Sequence, residues 1–164
     1  MKKQTNILAA MLLIFLFITA CGKDAADSAP AVSLSDLLET MLAADTTLPE
    51  LTKISSEDEQ AELNFSYLSD LSYDLVDSYF YVYAKEGTAE EIAVIRLKDK
   101  NDAASMMQSL KEHVTLRKGT FEEYSPEQVG MAEKAVVTRE GSYVALIISA
   151  KNGLVQKAFQ SCFE

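Results

Sequence analysis

The stretch SYFYVYAKEGTAEEIAVIRLK, residues 78–98, decides the fold. In its first part, Ser78 to Lys85, Tyr79, Tyr81 and Tyr83 alternate with Phe80 and Val82, and aromatic and β-branched residues in that rhythm predict a strand. Glu86-Gly87-Thr88 turns the chain, and Glu91 to Lys98 returns as a second strand. Downstream the same order recurs. Ala135–Arg139 and Ser142–Ala150 read as another hairpin, turned at Glu140-Gly141.

A helical stretch follows each hairpin. From Asn101 or Asp102 to about Lys118, residues Ala103, Met106, Met107, Leu110 and Val114 share one face, and Gly119 ends the run. Asn152 caps a last helix that turns Leu154, Val155, Ala158, Phe159 and Cys162 inward. Between them, Ser125-Pro126-Glu127 starts a short helix towards Met131. The expected fold is α+β: a four-stranded antiparallel sheet from two β-hairpins, each followed by a helix (ββα-ββα), with helices over one face. One or two helices precede it. Ser33 caps the first, which carries Leu34, Leu37, Leu38, Met41 and Leu42 on one stripe and ends near Asp45. A more polar second one spans Ser56 to about Phe65.

Working outward to the start, MKKQTNILAAMLLIFLFITAC (residues 1–21) has a positive Lys2-Lys3, an apolar run from Ile7 to Ile18, and small residues before Cys21. That is the layout of a secretory signal. Twelve apolar residues reach only about 18 Å as a helix, against about 30 Å of hydrocarbon, so a permanent transmembrane anchor is the weaker alternative. Ile18-Thr19-Ala20-Cys21 resembles the lipobox of bacterial lipoproteins, with Ile18 where Leu is commonest. The resemblance implies diacylglyceryl transfer to the Cys21 sulfur, cleavage before Cys21, and palmitate-type acyl chains on the new N-terminus. Two chains on one residue give stable anchoring. The expected organisation is a signal peptide over 1–20, lipidated Cys21 with a flexible tether over 21–33, and one domain over 34–164. The expected location is the extracytoplasmic face of the cell membrane.

Of 164 residues, 15 are basic and 25 acidic. Without residues 1–20 the chain carries 13 bases against 25 acids, which argues against nucleic acid as a partner. Residues 36–77 hold eleven of the acids and a single base, Lys53. This is either a solvated face, or a docking face for a cationic partner or a loose Ca²⁺ site. With Cys21 lipidated, Cys162 has no intrachain partner, and its neighbours Phe159 and Phe163 suit a small buried hydrophobe.

No nucleophile elbow, zinc-binding His pair, Cys-x-x-Cys or phosphate-cradling glycine loop is present in the sequence. No catalytic residue, metal or cofactor is therefore assigned. The single histidine, His113, lies mid-helix and reads as a surface or boundary residue. The ligand or partner candidates are Tyr67, Asp70, Tyr73, Asp74, Asp77, Tyr79, Tyr81 and Tyr83, because aromatic faces among carboxylates suit sugars or cations. The competing role for Tyr79, Tyr81 and Tyr83 is packing on helices from one strand face.

Three further stretches, Glu91-Ile92-Ala93-Val94, Tyr124-Ser125-Pro126 and Gly141-Ser142-Tyr143-Val144, join the lipobox and the leading Leu-rich helix in a resemblance. Together they resemble a family of uncharacterised small bacterial lipoproteins, a domain of unknown function known chiefly from Gram-positive anaerobes. It implies a lipoprotein and supplies no activity and no catalytic residues. The expected function is a non-catalytic binding or accessory module at the cell envelope, with an envelope protein or cell-wall component as partner. The alternative is a small carboxylate-dependent hydrolase acting on cell wall or peptide.

Overall fold

A computed structural model describes residues 31–164. The signal peptide expected over 1–20, Cys21 and most of the expected tether lie outside the described residues. Five strands, β1 (Leu51–Ser55), β2 (Val76–Ala84), β3 (Glu91–Leu97), β4 (Val136–Glu140) and β5 (Tyr143–Ile148), form one sheet in the order β1-β2-β3-β5-β4. Every neighbouring pair is antiparallel. The helices are α1 (Leu34–Ala43), α2 (Ala61–Phe65), α3 (Ala103–Tyr124), α4 (Val129–Ala132) and α5 (Asn152–Ser161).

The four-stranded ββα-ββα sheet is corrected on two counts. First, β1 is a fifth strand, pairing with β2 from Leu51↔Ala84 to Ser55↔Phe80. Its five residues include the charged Lys53 and the small Ser55, so the segment has too little β character to declare itself. Pairing with the otherwise open edge of β2 makes it a strand. Second, helices cover both faces. The central strands are apolar on both sides, as buried sheets require. Tyr79, Tyr81, Ala93, Ile95, Val144, Leu146 and Ile148 meet α2, α3 and α4. Phe80, Val82, Ile92, Val94, Ala145 and Ile147 meet α1 and α5.

Both hairpin turns fall where expected, with Gly87 at φ 79° and Gly141 at φ 56°, the left-handed region that glycine enters without steric cost. Ser33 caps α1, its hydroxyl accepting the Asp36 N–H at 3.4 Å. The helix expected over 56–65 contracts to α2, because residues 56–60 are taken up by a turn in which Asp58 Oδ2 accepts the Ser55 N–H. Gly119 does not end α3, which runs on to Tyr124. Just before α1, the Tyr143 hydroxyl donates to the Val32 carbonyl at 3.0 Å and ties the chain to the sheet. Among the described residues no helix is long and apolar enough to cross a membrane.

Candidate functional site

Glu91 opens β3 opposite Tyr83 of β2 and Ile148 of β5, facing α3. Its side chain is fully enclosed. One turn apart on α3, His113 and Arg117 both reach down to it. His113 Nε2 lies 2.7 Å from Oε2, and Arg117 Nε donates to Oε1. Burial pushes the pKa of Glu91 up. The His113 hydrogen bond and charge, Arg117 and the Tyr81 hydroxyl outweigh it, so the carboxyl is held below the usual range. Tyr81 is pushed up, by burial first and then by the Glu91 charge. Arg117 is also held from its outer side, its guanidinium carbon 4.6 Å from the Phe121 ring centroid.

His113, read from sequence as a surface or boundary residue, is thus a buried partner of Glu91. Sequence reasoning also passed over Glu91 and Arg117. A signal existed: Met106, Leu110, His113 and Arg117 fall on one helical stripe, so two polar residues continue an apolar face.

Above this cluster, a groove runs between residues 66–71 and α3. At its base the Ser69 and Ser109 hydroxyls are 2.8 Å apart and buried. One end is a cavity of about 80 Å³ bordered by Tyr67, Asp70, Glu112, His113 and Leu116. It adjoins an open cleft of about 490 Å³ that shares Asp70, Ser109 and Glu112 and adds Leu71, Ser105 and Gln108. Tyr67 and Leu116 stand 68 % and 70 % exposed on its rim. Asp70 and Glu112 form no ion pair among the described residues, and Gln108 Nε2 donates to Glu112 Oε1 at 2.9 Å. The groove therefore pairs exposed apolar surface with uncompensated negative charge.

The eight candidate residues divide. Tyr67 and Asp70 line the groove. Tyr73 and Tyr79 pack with Phe65, at ring separations of 5.5 and 5.6 Å from it and 6.1 Å from each other. The Tyr79 hydroxyl donates to the Ala61 carbonyl at 2.7 Å, and burial pushes it up to about 12. Tyr81 stacks beside Tyr83 at 5.2 Å, under the Glu91 cluster. Asp74 is exposed, its backbone carbonyl accepting from Lys98 Nζ at 2.8 Å. Asp77 pairs with Arg96 at 3.4 Å. The segment from Tyr67 to Tyr83 supplies several separate environments rather than one site. Cys162 is half-buried against the α1/α5 core.

A second polar junction closes the opposite face. Asp45, just after α1, accepts the Thr47 hydroxyl at 2.6 Å and N–H at 2.9 Å, and the Ser149 hydroxyl at 2.5 Å. Burial raises its pKa, but these hydrogen bonds and Lys151 at 3.8 Å prevail and hold it low. Among the described residues no three His, Cys, Asp or Glu side chains gather as a metal-ligand set.

Comparison with curated proteins and with solved structures finds no match. A family model described as "Domain of unknown function (DUF4358)" matches residues 50–149, a span running from just before β1 to just after β5 and including α3, Glu91 and the groove. The chain belongs to this DUF4358 family.

Proposed function

We propose that the protein is an extracytoplasmic lipoprotein, anchored through acyl chains on Cys21, whose domain serves as a non-catalytic binding or accessory module at the cell envelope. The observation that carries the binding role is the groove beside α3. Tyr67 and Leu116 offer apolar contact there, and Asp70 and Glu112 offer negative charge that no cation among the described residues pairs. The occupant this chemistry suits is a segment of an envelope protein that sets a cationic side chain beside an apolar one. The anchor rests on the lipobox resemblance, and the family's origin in Gram-positive anaerobes on the wider one.

A hydrolase would need an acid that is reachable and whose pKa is raised. Glu91 is enclosed and shifted downward, so the alternative draws no support from it. The binding reading is tested by photo-crosslinking in cells from position 67 or 116, with position 154 as an exposed control away from the groove. One dominant protein captured from 67 and 116 but not from 154 supports it. Equal capture from all three, or none, defeats it. For the anchor, Cys21→Ser is expected to leave the membrane fraction, and persistence there at the processed size refutes lipidation.

A further inference from the structure

On the α1/α5 side, the strand ends extend past the first turn of α1 and leave a cavity of about 370 Å³. Lys53 and Ser55 reach it from β1, Ser78 from β2 and Arg96 from β3, while Ser33 and Ser35 face them from the entry to α1. Phe80 and Leu38 form its apolar wall. We propose that this cavity binds a phosphate-type oxyanion, with Lys53 and Arg96 as its charged contacts and serine hydroxyls as neutral donors. This proposal is independent of the groove, which lies on the other face.

The case rests on where the positive charge sits. Lys53 is the single base among residues 36–77, a segment with eleven acids, and it forms no ion pair among the described residues. Arg96 lines the same cavity from two strands away, opposite Ser78 in register and four positions along the sheet from Val82 and Ile92, which stand in line with Lys53. Its guanidinium is held in position, the central carbon 5.6 Å from the Tyr143 ring centroid and Nε 3.4 Å from Asp77 Oδ2. An Arg held by an aromatic ring and a carboxylate, beside a wall lined with hydroxyls, is preorganised for a tetrahedral oxyanion. The acid lining the cavity is Glu57, exposed at the rim; Asp77, outside the lining, competes with the oxyanion for Arg96.

That competition supplies a test with two signs. The full-length chain in phosphate-free, uncharged detergent is titrated with inorganic phosphate, following the amide resonances of Ser35, Ser55 and Ser78. Saturable shifts are expected in the wild type. Lys53→Gln should weaken binding about tenfold, the worth of one charge-assisted hydrogen bond. Asp77→Asn, by freeing Arg96, should tighten it, and Lys85→Gln at the paired surface site should leave it unchanged. The source of the group is read by placing the chain in phosphatidylglycerol vesicles and in galactolipid vesicles. If the Lys53-dependent shifts arise in phosphatidylglycerol alone, the phosphate is a lipid headgroup. If only free phosphate produces them, it is a soluble ligand. No saturable shift in either arm, or shifts that Lys53→Gln and Asp77→Asn leave unaltered, overturns the proposal.

Discussion

The sheet face under α3 and the face under α1 and α5 come from the same strands, alternate residue by alternate residue, yet they hold their helices differently. Beneath α1 and α5 the contact is apolar: Leu37, Met41, Val155 and Phe159 are completely buried on Phe80, Val94 and Ile147. Its polar junction, Asp45 with Ser149, stands at the margin. Beneath α3 the apolar contact of Met106 and Leu110 gives way, a turn later, to Glu91 with His113 and Arg117. Apolar packing is non-directional and tolerates small shifts of a helix. A buried carboxylate shared by two cationic or hydrogen-bonding side chains fixes both rotation and register, and it is costly once any partner is lost. The groove, Tyr67 and Leu116 lie beside the helix that is held in this specific way, which gives the proposed binding face a rigid wall.

The comparison is broken most directly at Glu91. Glu91→Ala leaves Arg117 and His113 facing a dry sheet and should destabilise the fold by roughly 3–5 kcal/mol, read from urea denaturation. The same ion pair carries a pH signature. The folded pKa of Glu91 lies below its ordinary value of 4.5, so its contribution is complete above that range and is lost as pH falls through the lowered value. Asp45 acts in the same sense from its ordinary value of 3.8. Glu91→Gln should therefore flatten the acid limb of the stability profile, and an unchanged limb would show that the cluster is not ionic.

On the other face, Leu37→Ala should cost about 3 kcal/mol by opening a cavity under α1. Here pH should leave the loss constant across the carboxylate range, in contrast to Glu91. Asp45→Ala removes the acceptor of the Ser149 and Thr47 hydroxyls and should cost about 2 kcal/mol. A loss well above that figure would mean that the α1 face, too, depends on a polar lock. The smallest expected effect is at the α1 cap: Ser33→Ala should cost about 0.5 kcal/mol, the low end for a cap because its hydrogen bond is long at 3.4 Å. All three are measured as shifts in the denaturation midpoint at constant slope.

Local chemistry was legible. The Tyr-Val alternation of β2, the glycine turns and the Leu stripe of α1 are each determined by neighbours within a few positions, so they can be read in order along the chain. The candidate site was legible only in part. Tyr67 and Asp70 reach the groove, but their partners Ser109, Glu112 and Leu116 come from α3, some 40 positions on, and no spacing rule links the two segments.

By itself, then, the sequence determined the two hairpins, the class of the fold and an acidic stretch over residues 36–77 with Lys53 as its single base, because propensity, turn chemistry and charge are properties of short stretches. Tertiary structure alone decided the fifth strand, the division of helices between two faces and the burial of Glu91 under His113 and Arg117. A strand such as β1 exists because a neighbour offers an unpaired edge. A charged residue can be buried only when its partners arrive from elsewhere in the chain, and that meeting is a fact of three dimensions.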